Sequence, residues 1–168
     1  VFSAVFIALL STNALGAPDS FEPDDAILEA RGILTNGAFQ EHNFHISGDI
    51  DWLKFNVSNG KFYLIETFNL SLGEAGADTV IYLYDSDGST LIKDNDDGGE
   101  GLASKIIYKS GVTGLNYLKI REYSERAGGN YSIYVLQIPD FSDNYESDDS
   151  YLEANAIKVN GKGQNHNI

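Results

Sequence analysis

The sequence predicts an all-β protein, an antiparallel β-sandwich of jelly-roll-like architecture with about eight strands. Three observations predict it: apolar and polar residues alternate with a period of two, turn residues separate these segments at short intervals, and no long amphipathic helix competes with them. The chain has 168 residues, of which 42% are hydrophobic, so it is long enough to bury one core.

The predicted elements follow in chain order. The first is a short helical turn at residues 26–31, with Asp24 or Asp25 as its N-cap and Gly32 as its end. In the segment 51–57, alternate residues from Asp51 onward share one face. In the segment 79–84 both faces are apolar, so the sequence leaves open which of them is buried. Strands are predicted at residues 40–46, 51–57, 62–68, 79–84, 90–93, 104–109, 116–122 and 130–137.

Residues 1–17 resemble a partial secretory signal peptide. An uncharged apolar run, shorter than the roughly 20 residues that span a bilayer, is followed by small residues and a cleavage site after Gly16 or Ala17. We therefore expect a secreted protein, located outside the cell or at its surface, with no membrane insertion of the mature chain.

Residues 143–168 repeat the beginning of the domain at one constant offset and without a gap. Residues 143–150 match residues 19–26, and at the same offset His42 matches His166. A repeated unit of domain length predicts a tandem array. The expected organisation is a complete domain at 18–138, a linker at 139–142 and the start of a second, truncated repeat at 143–168.

Charge and cysteine content narrow the function classes. The chain has 25 acidic and 11 basic residues, a net charge of −14, and no cysteine. A nucleic-acid partner is not expected, because such proteins need a basic face. The acidity favours hard cations such as calcium. The lack of cysteine excludes disulfides, thiol catalysis and cysteine-based metal sites.

A series of motifs runs in order through residues 19–138: D-x-F-E-P-D-D at 19–25, H-x-F at 42–44, G-D-x-D-W-x-K-F at 48–55, D-T-V-x-Y-L-Y-D-x-D-G at 78–88, N-D-D-G at 95–98 and G-x-Y-x-I-x-V at 129–135. Together they resemble the bacterial pre-peptidase C-terminal domain family. The resemblance implies a secreted, non-catalytic β-sandwich accessory module, often in tandem beside peptidase domains and distantly similar to the collagen-binding modules of clostridial collagenases. Because this chain contains no peptidase domain, the family name does not make it a peptidase.

The resemblance also implies a calcium site. In the collagen-binding relatives, an acidic N-terminal segment and a later aspartate pair hold the ion, which places the ligands here at Glu22, Asp24, Asp25, Asp49 and Asp51. The residues alone leave two interpretations open. The acids can supply the oxygens that calcium requires, or they can cap a helix and line a solvated turn. Acids recur at 146–149, which supports a structural role without deciding between the two.

A second acidic segment and two histidines are weaker candidates. The acidic, glycine-rich loop contains no EF-hand spacing, and solvated turns are the common form of such loops; its acids are Asp94, Asp96, Asp97 and Glu100, with Asp85 and Asp87 nearby. His42 and His45 would point to opposite faces of one strand, so together they cannot chelate zinc. We expect His42 to be a packed, hydrogen-bonded histidine.

Catalytic motifs are absent from the sequence. It contains no H-E-x-x-H, no G-x-S-x-G and no cysteine nucleophile, so we do not expect an enzyme. The predicted function is a non-catalytic accessory domain that spaces, stabilises or docks a larger extracellular protein, with the downstream domains of the same polypeptide as partners. One alternative is a module that binds an extracellular polysaccharide or fibrous protein through exposed aromatic side chains. Another is the N-terminal fragment of a secreted peptidase or other hydrolase.

Overall fold

The computed structural model describes residues 16–71 and 77–140. Two mostly antiparallel sheets make up this part of the chain, and the predicted β-sandwich is confirmed. The described strands are β1 (Arg31–Gly32), β2 (Asn36–Asn43), β3 (Ile50–Val57), β4 (Phe62–Phe68), β5 (Thr79–Tyr84), β6 (Leu91–Asn95), β7 (Lys105–Lys109), β8 (Gly114–Glu122) and β9 (Asn130–Ile138).

One sheet has five strands in the order β1-β3-β8-β5-β6, and the other has four in the order β2-β9-β4-β7. Successive strands alternate between the sheets, except that β5 and β6 are neighbours in one sheet. This alternation places the end of β2 and the start of β3 at the same end of the sandwich, joined by residues 44–49.

The core lies between the sheets and follows the period-two pattern. In β3 the side chains of Leu53, Phe55 and Val57 are buried, as the sequence predicts for that face. In β5, Ile81 and Leu83 are completely buried, whereas the tyrosines that alternate with them are partly exposed. The structure therefore decides the orientation of β5, which the sequence leaves open.

The predicted helical turn at 26–31 is wrong in its bounds and caps. A 3₁₀ helix spans only Ile27–Glu29, and its N-cap is Ala26, without a side-chain hydrogen bond. Asp24 is fully buried instead of capping a helix, and Gly32 belongs to β1, a short strand that pairs in parallel with β3. Nine strands are described rather than eight because of this addition.

Strand β2 also differs from its prediction, since it begins at Asn36 and ends at Asn43 instead of covering 40–46. A physical reason for the early end is the side chain of Asp49, whose Oδ2 accepts a hydrogen bond from the His45 amide at 2.6 Å. The chain therefore turns at His45 towards β3.

The predicted second repeat at 143–168 lies outside the described residues, as do residues 1–15 of the predicted signal peptide. In the described part of the chain, no helix is long and apolar enough to cross a membrane.

Candidate metal centre

The N-terminal segment, residues 19–25, is anchored to the end of the sandwich by backbone groups. The Trp52 amide donates to the Asp24 carbonyl at 2.9 Å, so this segment lies against β3. The Arg31 guanidinium donates to the carbonyls of Phe21 and Pro23, the latter at 3.1 Å. These bonds hold the acids of the segment next to the aspartates at the start of β3.

Seven side chains gather at this end of the sandwich and are called here the acidic cluster: Asp19, Glu22, Asp24, His42, His45, Asp49 and Asp51. They form three overlapping groups, in each of which one ligand atom per residue lies within 4.8 Å of the others. Glu22, Asp24 and Asp51 form a group of oxygen ligands only. Each of the other two groups combines two carboxylates with one histidine.

Several carboxylate oxygens of the acidic cluster are buried without a hydrogen-bond donor. Asp24 is completely buried, and neither of its oxygens accepts a hydrogen bond within the described residues, although His42 Nδ1 lies 4.0 Å from Oδ2. One oxygen each of Asp49 and Asp51 is in the same situation, although Asp51 accepts a hydrogen bond from the Tyr131 hydroxyl at the other oxygen. An unpaired buried carboxylate is costly, so this arrangement requires either protons or a cation.

The acidic cluster raises the pKa of its own carboxyl groups. Burial raises the pKa of Asp24 from 3.8 to about 8, and the negative charges of Glu22 and Asp19 add to this effect. Burial also raises the pKa of Asp51 well above its usual value, against the Tyr131 hydrogen bond, which lowers it. The pKa values of Glu22 and Asp49 are raised for the same primary reason. A bound cation would favour the ionised forms.

The two histidines occupy different places in the acidic cluster. His42 is buried and stacks on Phe21 and Tyr131, with ring centroids 4.6 and 5.5 Å away. Burial lowers the pKa of His42 to about 4, so the ring is neutral at physiological pH. The Nδ1 atom of His45 lies 2.7 Å from Asp49 Oδ2 and 2.9 Å from Glu22 Oε1. The histidines thus belong to separate groups, as expected, but not because they lie on opposite faces of one strand: β2 ends at Asn43, before His45.

Four of the five predicted ligands lie in the acidic cluster, namely Glu22, Asp24, Asp49 and Asp51. The fifth, Asp25, is exposed and belongs to none of the three groups, although its negative charge helps to raise the pKa values of two cluster members.

Sequence reasoning did not assign the remaining members to a metal site. Asp19 and His42 carried a usable signal, since both recur in residues 143–168. Tyr131 has no such repeated counterpart in the sequence that could have identified it. It meets the acidic cluster only because β9 pairs with β2, which places Tyr131 opposite His42.

The second acidic segment contributes a smaller group, in which Asp96 and Asp97 meet Asp78. Asp94 and Glu100 are not part of it. Asp87 instead closes its own turn, where Oδ1 accepts the amides of Ser89 and Thr90 at 2.8 Å each. A hydrogen bond from the Thr90 hydroxyl is the main cause that lowers the pKa of Asp87, and the two amide bonds add to it.

Solved structures similar to this one include a collagenase domain and a lysozyme inhibitor. The pre-peptidase C-terminal domain of a collagenase from Bacillus anthracis has 23% sequence identity and a TM-score of 0.49, covering 63% of this chain and 93% of that one. It is a member of the family that the sequence resembles. PliG from Aeromonas hydrophila, a periplasmic inhibitor of g-type lysozyme, has 10% identity and a TM-score of 0.45, covering 63% of this chain and 96% of its own.

A scan of family models and a search of curated proteins each find no match for the sequence. The pre-peptidase C-terminal resemblance therefore depends on the motifs in residues 19–138.

Proposed function

We propose that the chain is a secreted, non-catalytic accessory domain of a larger extracellular protein, and that calcium fastens its N-terminal segment to the sandwich. The observation that carries the calcium proposal is Asp24, a completely buried carboxyl group whose two oxygens accept no hydrogen bond in the described structure. It lies beside Glu22 and Asp51, so that three carboxylates converge from two distant parts of the chain.

The donor set favours calcium. Glu22, Asp24 and Asp51 offer only oxygen ligands, and calcium is bound by carboxylates, carbonyls and water in flexible geometries. Asp49, next to them, can add a further carboxylate. The neighbouring group of Glu22, His45 and Asp49 includes a ring nitrogen and could hold zinc, so zinc is the competitor that the experiment includes.

A cation at this place would act as a clamp. It would neutralise carboxylates of residues 19–25 and of the start of β3, and so hold the N-terminal segment against β3. Calcium that binds only the folded state stabilises it by RT ln(1 + [Ca]/Kd), which is about 2.7 kcal/mol at a hundredfold excess over Kd. Such a clamp suits a rigid spacer or docking module outside the cell, where calcium is abundant.

The accessory role is supported by the family resemblance, by the repetition of the domain's opening at 143–168 and by the lack of catalytic motifs. In this proposal the partners are downstream domains of the same polypeptide. The apolar run at the N-terminus supports secretion.

The test is calorimetric. The full chain is treated with EDTA, and calcium or zinc is titrated while heat and melting temperature are followed. We expect a saturable heat with calcium and a higher melting temperature, both lost in Asp51→Asn. Asp94→Asn removes the same charge from an exposed position outside the acidic cluster and is expected to respond like the unaltered protein.

The absence of heat and of a melting shift with calcium would refute the clamp. Saturation by zinc in preference to calcium would instead assign the metal to the group of Glu22, His45 and Asp49.

A further inference from the structure

We propose that the outer surface of the five-stranded sheet binds an acidic, uronate-containing polysaccharide. This surface is called here the aromatic–cationic face and consists of the partly exposed residues Trp52, Lys54, Tyr82, Tyr84, Tyr117, Lys119 and Arg121. The inference goes beyond the calcium-clamped accessory role and does not depend on it, because none of these side chains belongs to the acidic cluster.

Strand register arranges this face in mixed rows. Across β3, β8 and β5, Trp52 pairs with Lys119, and Lys119 pairs with Tyr82. In the next row, Lys54 pairs with Tyr117, which pairs with Tyr84. A cation lies between two rings in the first row, and two rings lie side by side in the second. Along β8, Tyr117 is followed on the same face by Lys119 and Arg121, at a spacing of roughly 7 Å.

The aromatic side chains of this face contact one another and the neighbouring cations. The ring centroids of Trp52 and Tyr84 are 5.4 Å apart, in a tilted arrangement that reaches across β8. The Lys119 ammonium lies 5.7 Å from the centroid of the Tyr82 ring, and the Arg121 guanidinium lies 5.6 Å from it. The face therefore offers rings that are positioned before any ligand arrives, which lowers the entropic cost of binding.

Arg121 is fixed in place. Its guanidinium donates to the Tyr82 hydroxyl at 3.0 and 3.2 Å and to the carbonyls of Glu122 and Tyr123 at 2.9 and 2.8 Å. All of these acceptors are neutral. Within the described residues, Lys54, Lys119 and Arg121 form no ion pair with a carboxylate at salt-bridge distance.

The charge distribution indicates an anionic ligand. The whole chain has a net charge of −14, yet three of its 11 basic residues share this face. Carboxylates adjoin the face at Asp94, which pairs with Tyr82 from β6, and at Asp96. Burial and the charge of Asp97 raise the pKa of Asp96, and the nearby Arg121 guanidinium opposes this rise. A complementary ligand carries negative charges that face the cations and flat apolar surfaces that stack on the aromatic side chains. A chain of uronate sugars has both.

The shape of the face favours a polymer. Three cavities in the described structure are all lined by residues outside the aromatic–cationic face. A nucleic acid is a poorer fit because its dense phosphate charges would meet only three cations on a strongly acidic protein. A uronate polymer has a lower charge density, and its sugar rings can lie flat on the aromatic side chains.

The test is affinity electrophoresis of the full chain through gels that contain hyaluronate, with dextran gels as the neutral reference. We expect retardation by hyaluronate only, weaker at higher salt because the charges are exposed to solvent. Lys119→Gln and Tyr84→Ala should each weaken binding about tenfold, the effect of losing one favourable contact. The matched control is Lys109→Gln, since Lys109 lies 4.8 Å from the Phe62 ring on the other sheet. This variant should bind normally, and melting curves verify that all variants fold.

Three results would overturn the proposal: no retardation, equal retardation by dextran, or an equal loss in the Lys109→Gln control. Retention by gelatin or single-stranded DNA in place of hyaluronate would assign the face to another class of polymer. The outcome is separate from that of the calcium proposal, because Lys119→Gln should leave the calcium heat unchanged and Asp51→Asn should leave hyaluronate binding unchanged.

Discussion

At the residue scale, Asp51 illustrates why a buried acid points to a ligand. It is completely buried at the start of β3, where it accepts one hydrogen bond from Tyr131 and leaves the other oxygen unpaired in the described structure. Its alternate neighbours Leu53 and Phe55 are core residues on the same face. An unpaired carboxylate oxygen in such a position destabilises the metal-free fold, and the cation that we propose would offset this cost.

Asp51→Asn therefore has opposite effects in the two states. In EDTA at pH 8 we expect the variant to be more stable than the unaltered protein by about 1–3 kcal/mol, because it buries no charge. In saturating calcium it should be the less stable of the two. Urea unfolding under both conditions measures the difference. If the variant is less stable than the unaltered protein both in EDTA and in calcium, Asp51 contributes to packing and hydrogen bonding alone.

At the scale of elements, the acidic cluster depends on how β9 begins. Gly129 precedes β9 with a φ of 99°, and a Cβ there would lie 2.8 Å from the backbone nitrogen of Ala77. Its carbonyl accepts the amide of Phe44, which continues the line of β2. Only glycine satisfies both the backbone conformation and the close approach.

Gly129→Ala should destabilise the domain by about 2 kcal/mol or more, through backbone strain and the clash with Ala77. Gly111→Ala is the matched control, because a Cβ at that loop position meets nothing within 4 Å. Thermal unfolding of both variants makes the comparison. Equal melting temperatures of the two variants would show that the backbone around Ala77 can move to accept the extra methyl group without loss of stability.

The sequence predicted strands correctly where apolar residues recur at every second position and form one buried face. The limits of β4 and β5 agree with the sequence prediction, and β3 is longer by only one residue. The prediction failed at β1, whose two residues depend on pairing with β3, and at the end of β2, where a distant carboxylate turns the chain. Both failures arise from contacts that no local pattern records.

At the scale of the whole molecule, the acidic cluster makes stability depend on pH. The pKa of Asp24 is about 8 in the folded protein and 3.8 as an ordinary carboxyl, so the folded state binds more protons across this interval. Stability consequently falls as pH rises towards 8. His42 acts in the opposite direction only below pH 6.5, because burial lowers its pKa from 6.5 to about 4.

Between pH 6.5 and 8 we therefore expect the melting temperature of the EDTA-treated protein to fall steadily, since only the carboxyl effect operates there. Saturating calcium should remove most of the decline by favouring the ionised carboxylates. Asp24→Asn should flatten the curve without metal. Scanning calorimetry across this range measures all three, and a flat curve for the metal-free protein would contradict the raised pKa of Asp24.

The candidate metal centre was partly predictable. The acids at 22–25 form one cluster in the sequence, and the pair at 49–51 forms another. The family resemblance predicted that the two clusters belong to one site. The exclusion of Asp25 from the three groups, and the inclusion of Asp19, His42 and His45, required coordinates. Adjacent residues in an irregular segment point in directions that no simple period specifies.

The sequence by itself determined the fold class, the strand pattern, the acidic character and the location of most of the candidate ligands. These properties depend on composition and on local periodicity, which one chain displays without knowledge of its neighbours. Only the tertiary structure decided which oxygens are buried without partners, which face of β5 is exposed, and that scattered lysines and aromatic residues share the outer surface of one sheet. Those properties depend on strand register and burial, which arise when residues far apart in the chain are brought together by folding.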